Sequence, residues 1–242
     1  MNTNISLRQI NKLAIPAIIA GISEPILSLT DAAIVGHMSV HATESLAAVG
    51  VVTAFLSMLI WVLGQSRSAI SSIVSQYVGA NKINEVKDLP IQAIAIILLI
   101  STVVCVITYP FSRSIFSLYN ASGLLLDYSV SYYKIRVIGL PFTLYVFAVF
   151  GVFRGLQNTY YPMIIAITGA TVNILLDFIL VYGIKDWFLP LNLQGAAIAS
   201  VLSQLLMAVL ATYYLLKKTE IPLRYSMPFN KEIPKFLNMI GH

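Results

Sequence analysis

The sequence predicts an all-α polytopic membrane protein, built as a bundle of six transmembrane helices. Of its 242 residues, 58% are hydrophobic and 10% are charged, and the mean hydropathy is +0.83. A soluble domain carries about 25% charged residues. A helix needs roughly 20 apolar residues to cross the bilayer core, and the apolar stretches of this chain leave room for six. Lys and Arg are also distributed unevenly between the two sides of the predicted bundle.

Polar or charged loops separate the apolar stretches, and residues 1–12 are predicted to form a short amphipathic entry segment. The longest predicted loop covers residues 112–127. The six predicted spans cover roughly residues 13–36, 46–75, 91–111, 128–153, 161–183 and 193–216.

Span 1 contains two prolines and one polar face. Pro16 and Pro25 each free a backbone carbonyl and permit a bend. Glu24, Ser28 and Asp31 recur at spacings of four and three residues, so they lie on one helical face. Exposing this polar face to lipid would be energetically costly.

Spans 2, 3 and 4 are read mainly as scaffold. Arg67 lies among small serine-rich residues that favour close helix contact. The few polar residues of span 3 are mostly hydroxyls, which can bond their own backbone. Tyr132, Lys134 and Arg136 lie near the start of span 4, and we expect the two basic side chains to snorkel or to pair near the interface.

Span 5 carries the second unusual acid. Asn173 and Asp177 are four residues apart, and Gly169 lies a further turn away, so the three share one helical stripe. In span 6, by contrast, small residues predict a packing face, and a neighbouring stripe holds two polar residues one turn apart. The packing face consists of Gly195, Ala199 and Ser203, and the polar pair of Ser200 and Gln204.

Positive charge predicts the orientation of the bundle. Ten of the fifteen Lys and Arg residues fall on the side of the N-terminus, two fall on the other side, and three lie within or at the ends of spans. Because positive charge concentrates in cytoplasmic loops, both ends of the chain are predicted to be cytoplasmic.

Our central hypothesis is that Asp31 and Asp177 meet inside the membrane and bind a proton or a small cation. Two carboxylates brought together in a low dielectric favour protonation of one of them, and a cation would compete with that proton. The alternative is that each acid caps a helix end or forms a salt bridge with Arg67 or Lys134.

Asn173 and Ser200 are candidate further ligands. An amide oxygen beside a carboxylate suits a hard cation such as Na⁺. The alternatives are a helix–helix hydrogen bond for Asn173 and a hydrogen bond from Ser200 to its own helix.

Five more residues are candidates for a cavity or gate. Glu24 either extends the polar face or, together with Pro25, stabilises a bend. Arg67 is read as structural, neutralising an acid or anchoring span 2. Tyr132 is a candidate hydrogen-bond donor into the cavity, and Gln204 a candidate lining residue.

Several function classes lack support. The net charge of +5 is spread between apolar segments, so it does not indicate a nucleic-acid partner. His37 and His41 lack companions at metal-ligand spacing, so no zinc site is predicted. The chain contains no phosphate-binding loop, nucleophile elbow or dinucleotide fingerprint, so we predict no enzyme and no cofactor. Cys105 cannot form an internal disulfide, and no cleavable signal peptide is evident.

Six segments together resemble the multidrug and toxic compound extrusion (MATE) family, most similarly its DinF-like branch. They are S-L-T-D-A-A-I-V-G-H (28–37), L-A-A-V-G (46–50), S-Q-Y-V-G-A (75–80), F-R-G-L-Q-N-T-Y-Y-P (153–162), N-I-L-L-D-F-I-L-V-Y-G (173–183) and Q-G-A-A-I-A-S-V-L-S-Q (194–204).

The resemblance implies one six-helix lobe of a twelve-helix, cation-coupled antiporter. Residues 1–217 would form the N-terminal lobe, and residues 218–242 a cytoplasmic linker and the start of a seventh helix. The chain would then be part of a longer protein whose C-terminal lobe is a partner.

The resemblance also implies a site and an activity. The site carries over onto Asp31, Asn173 and Asp177, with Ser200 where relatives often have Thr, and it would bind H⁺ or Na⁺. The protein would export organic, often cationic, compounds across the plasma (inner) membrane. The alternatives are a flippase for lipids or lipid-linked precursors and a membrane scaffold that transports nothing.

Overall fold

Residues 6–38, 41–82, 88–184 and 189–219 are described in a computed structural model, and this part of the chain is mostly helical. Within these ranges, six helices, or pairs of helices joined end to end, are long and apolar enough to cross a membrane: Leu7–Gly36, Ala42–Gly79, Leu89–Thr108, Gly123–Gly155, Tyr160–Tyr182 and Asn192–Lys218. The predicted all-α fold with six spans is therefore confirmed. In chain order the helices are α1 (Leu7–Gly36), α2 (Ala42–Gly64), α3 (Ser66–Gly79), α4 (Leu89–Thr108), α5 (Ser112–Leu118), α6 (Gly123–Arg136), α7 (Leu140–Gly155), α8 (Tyr160–Tyr182) and α9 (Asn192–Lys218).

The first helix begins earlier than predicted. The Gln9 backbone N–H donates to the Ser6 hydroxyl at 3.4 Å, and the Ser6 backbone N–H donates to the Gln9 side chain at 3.1 Å. This reciprocal capping box satisfies two free N–H groups at the helix start. Helix α1 therefore includes residues 7–12, the last part of the predicted amphipathic entry segment, and starts before the predicted span.

The second span is longer than predicted and is interrupted. It begins with α2 at Ala42, is interrupted at Gln65 and ends with α3 at Gly79. Gly64, a weak helix former, ends α2 where a Cβ would lie 3.1 Å from the Phe147 ring.

The predicted loop 112–127 contains helical structure instead. It holds α5 and the first turn of α6, and Arg113 pairs with Asp127 at 2.9 Å. The side chain of Phe116 is fully buried and packs edge-on against Tyr133, with ring centroids 5.2 Å apart. So short a helix is stabilised by tertiary contacts rather than by its own propensity.

A 3-10 turn, Val137–Gly139, separates α6 from α7 within the fourth span. Pro141 lacks the N–H that would bond to the Val137 carbonyl in a regular helix. That carbonyl instead accepts from the Leu140 N–H and, at 3.1 Å, from the thiol of Cys105 on α4.

Helix α8 packs against both α1 and α9. Gly195 allows the contact with α9, since a Cβ there would lie 2.5 Å from the Leu180 carbonyl oxygen. Ala199 and Ser203 are also buried, so the predicted packing face is observed. The predicted linker and seventh helix lie outside the described residues from 220 onward.

Candidate cation-binding site

Two acids from distant parts of the chain meet inside the bundle. Asp31 on α1 is 6% exposed and Asp177 on α8 is fully buried. The two carboxyl groups are close enough to interact directly. A proton or a cation between α1 and α8 would offset the repulsion between two such groups.

Two hydrogen bonds set α1 beside α8 in this register. The Thr159 hydroxyl donates to the Leu13 carbonyl at 2.8 Å, and the Tyr182 hydroxyl donates to the Ile34 carbonyl at 2.8 Å. The two helices therefore run in the same direction, as the first and fifth spans of the predicted topology must. Asp31 lies one turn before Ile34, so it is close to the hydrogen bond between Tyr182 and Ile34.

Asn173 adds a side-chain amide beside the two carboxyl groups. Its side-chain amide donates to Asp177 Oδ2 at 3.3 Å, within α8. The Oδ1 atoms of Asp31, Asp177 and Asn173 are buried and have no hydrogen-bond partner. Buried polar atoms are rarely left unpaired, and two carboxylates with one amide suit a proton or a hard cation such as Na⁺.

Helix α6 contributes a phenol and a guanidinium to the same neighbourhood. Tyr132 is 1% exposed, and the Arg136 guanidinium lies close to its hydroxyl. The positive charge of Arg136 interacts electrostatically with both Asp31 and Asp177. From the sequence we expected Arg136 near the membrane interface, so its position beside the acid pair was not predicted. The available signal was its spacing of four residues from Tyr132, which puts both side chains on one face of α6.

The two candidates on α9 make different contacts. Ser200 is buried, and its hydroxyl donates to the Ala196 carbonyl of its own helix at 3.1 Å, which is the alternative left open for it. The amide of Gln204 reaches Gly139, where a Cβ would overlap it, and its Oε1 is buried without a partner.

The other candidates lie away from the acid pair. Glu24 and Pro25 are on the exposed part of α1, so Glu24 does not extend the buried polar face. Arg67 lies over the Phe147 ring at 4.8 Å. Among the described residues, neither Arg67 nor Lys134 forms a contact ion pair with either acid. Both acids also lie within helices rather than at their ends.

Comparison with known proteins agrees with this architecture. The family model described as MatE matches residues 16–179. The chain is 29% identical over 193 residues to DNA damage-inducible protein F of Escherichia coli (strain K12), covering 79% of this chain and 40% of that protein. It is 27% identical over 222 residues to the probable multidrug resistance protein NorM of Thermotoga maritima, covering 90% and 46%.

Solved structures share the fold. A MOP superfamily transporter from Pyrococcus furiosus superposes with a TM-score of 0.83 at 22% identity, over 97% of this chain and 51% of the other. The Vibrio cholerae MATE transporter VcmN in its bent form gives 0.82 at 20% identity, over 97% and 51%. The chain thus spans about half the length of the proteins it matches. Because the MatE family model matches most of its length, this chain belongs to the MatE family.

Proposed function

We propose that the protein exports organic compounds, often cationic, in exchange for H⁺ or Na⁺ that enters through the Asp31–Asp177 site. The observation that carries this proposal is the meeting of two buried carboxyl groups, Asp31 at 6% and Asp177 at 0% exposure, from helices far apart in sequence. Ionisable groups inside a membrane bundle are costly and are retained where an ion or proton is handled.

The geometry supports a mechanism in which the bound ion holds two helices together. A proton or cation between Asp31 on α1 and Asp177 on α8 offsets their mutual repulsion. When it leaves, two carboxylates face each other in a low dielectric, and a conformation that separates α1 from α8 becomes more favourable. If the substrate binds that second conformation better, ion and substrate each expel the other.

The experiment is efflux of a fluorescent organic cation from proteoliposomes containing the intact protein. We expect Asp31→Asn and Asp177→Asn each to abolish ion-driven efflux, because neither amide can be charged and discharged. Asp127→Asn is the matched control, since Asp127 pairs with Arg113 in a half-exposed contact away from the site. Efflux that survives both site substitutions would contradict the proposal.

The same preparation separates the two candidate coupling ions. A pH gradient without Na⁺ drives efflux if the pair exchanges a proton, whereas a Na⁺ gradient at equal pH drives it if Asn173 and the carboxylates bind Na⁺. Both ions fit the unpartnered oxygens of the site.

We further propose that the chain works with a C-terminal lobe, in the inner membrane, with both ends in the cytoplasm. The half-length match and the exposed apolar surface of α1 support a partner lobe, and the excess of Lys and Arg on one side supports the orientation. We propose no covalent catalysis.

A flippase for lipid-linked precursors and a membrane scaffold without transport are less favoured. The relatives carry the names multidrug resistance protein and multidrug export protein, which supports export of small molecules. Preferential binding of a lipid-linked precursor over organic cations would instead favour the flippase.

A further inference from the structure

A polar cavity lies between α3 and α7, away from the acid pair. It has a volume of about 270 Å³ and shares no lining residue with the acid pair. Its walls carry two guanidinium groups and three hydroxyls, from Arg67, Arg154, Ser68, Ser71 and Ser72.

The two arginines are close enough for their charges to repel each other. Arg67 rests against the Phe147 ring, and Arg154 Nε is buried without a hydrogen-bond partner. Within the part of the chain that the structure describes, no acid forms a contact ion pair with either of them. Two cations side by side, neither with a contact ion pair, repel each other, and an anion bound between them would offset that repulsion.

The helix packing brings the two arginines to one cavity. Gly151 and Gly155 on α7 face α3, and a Cβ on them would lie 2.6 Å from the Arg67 carbonyl oxygen and 2.6 Å from Val74 Cβ, respectively. Neither backbone could remain in place with a larger residue, so the two glycines set the close approach of α3 and α7.

We propose that this cavity binds a phosphate or carboxylate group, held between Arg67 and Arg154 and contacted by the serine hydroxyls. Guanidinium groups match the planar or tetrahedral oxygens of such anions and bind them through charge-assisted hydrogen bonds. The anion is either the acidic group of a soluble compound or the phosphate of a lipid headgroup. The site is separate from the cation pair, so it adds an anion-binding function to the proposed exporter.

Glu24 gives the proposal a second, opposite test. The negative charge of Glu24 interacts electrostatically with Arg67. Glu24 lies on the exposed part of α1 and forms no contact ion pair with Arg67. A resident negative charge weakens the binding of an incoming anion. Removing the charge of Glu24 should therefore tighten anion binding.

The experiment measures inorganic phosphate binding to the intact protein in phosphatidylcholine nanodiscs, by calorimetry and by the shift in Tm. Potassium phosphate is compared with potassium chloride at equal ionic strength and pH. We expect Arg67→Gln and Arg154→Gln each to weaken binding about tenfold or more, and Glu24→Gln to strengthen it. Arg113→Gln should match the wild type.

A parallel arm replaces phosphate with phosphatidylglycerol in the nanodisc. Stabilisation by this lipid alone, lost in Arg154→Gln, would assign the site to a lipid headgroup, whereas stabilisation by free phosphate would assign it to a soluble anion. If neither anion distinguishes the wild type from Arg154→Gln, the proposal is wrong.

If the arginine variants are poorly folded, Glu24→Gln decides the matter. Tighter binding of the anion that the wild type takes supports the site, and unchanged or weaker binding contradicts it. No ion gradient is used, so failure here leaves the cation-coupling proposal untouched, and failure of coupling leaves this one untouched.

Discussion

At the residue scale, the acid pair was predictable because a carboxylate in an apolar helix is expensive. Asp31 and Asp177 each interrupt an apolar stretch, and the structure brings them into contact. The role of Glu24 was harder to predict. Its spacing of seven residues from Asp31 indicates a shared face, but α1 is buried mainly near its C-terminal end, so the same face is exposed at Glu24.

Arg136 was not predictable as part of the site because its position depends on three helices meeting. Its place near the start of a span is equally typical of a side chain that reaches toward the interface. Its charge acts on both acids because α6 packs against α9, which in turn packs against α8 and α1.

Arg136→Gln should increase the affinity of the acid pair for its coupling ion. A fixed positive charge opposes the binding of another cation, so its removal should lower the half-saturating ion concentration about tenfold. The measurement is the ion dependence of efflux or of Tm. Arg136→Lys keeps the charge and should behave like the wild type. Weaker ion binding in Arg136→Gln would show that the guanidinium acts only by positioning Tyr132.

At the scale of the element, hydropathy located the six spans, while helix ends and interruptions followed from local contacts. The capping box at Ser6 was readable in the sequence but overlooked. The helix around Phe116 was not readable, because it depends on aromatic neighbours from α2 and α6. The 3-10 turn Val137–Gly139 lies just before Pro141, whose missing N–H interrupts the regular helix. The contact of Cys105 with the Val137 carbonyl depends on the packing of α4 and could not be read from the sequence.

Two glycines with different surroundings test the packing of α8 against α9. Gly195→Ala should destabilise the protein by about 1–3 kcal/mol, because its Cβ would lie 2.5 Å from the Leu180 carbonyl oxygen on α8. Gly50→Ala is the matched control, since a Cβ there meets nothing within 4 Å in the interior of α2. It should leave stability unchanged or raise it by about 0.5–1 kcal/mol. The measurement is Tm in detergent, and equal Tm values for the two variants would contradict the packing described here.

At the scale of the whole molecule, the six-span topology places the start of α1 and the start of α8 on the same side of the membrane. The parallel register of α1 and α8 agrees with an even number of crossings between those points. From the excess of Lys and Arg we propose that this side faces the cytoplasm.

Cysteine labelling tests this orientation. In a Cys105→Ser background, Asn120→Cys and Gln157→Cys place thiols at two exposed turn positions with similar backbone, φ 60 and φ 57. A membrane-impermeant maleimide should label Asn120→Cys in intact cells and Gln157→Cys only after permeabilisation. The reverse pattern would invert the topology, and labelling of both in intact cells would contradict the span count.

The central claim, that Asp31 and Asp177 form one ion site, is tested most directly by ion binding to four purified proteins: the wild type, Asp31→Asn, Asp177→Asn and the double variant. Binding of H⁺ and of Na⁺ is measured by calorimetry in nanodiscs. Because residues in one site are not additive, we predict that each single substitution removes ion binding and that the double variant loses nothing further. Ion binding that persists in a single variant, or losses that add in the double variant, would contradict a shared site.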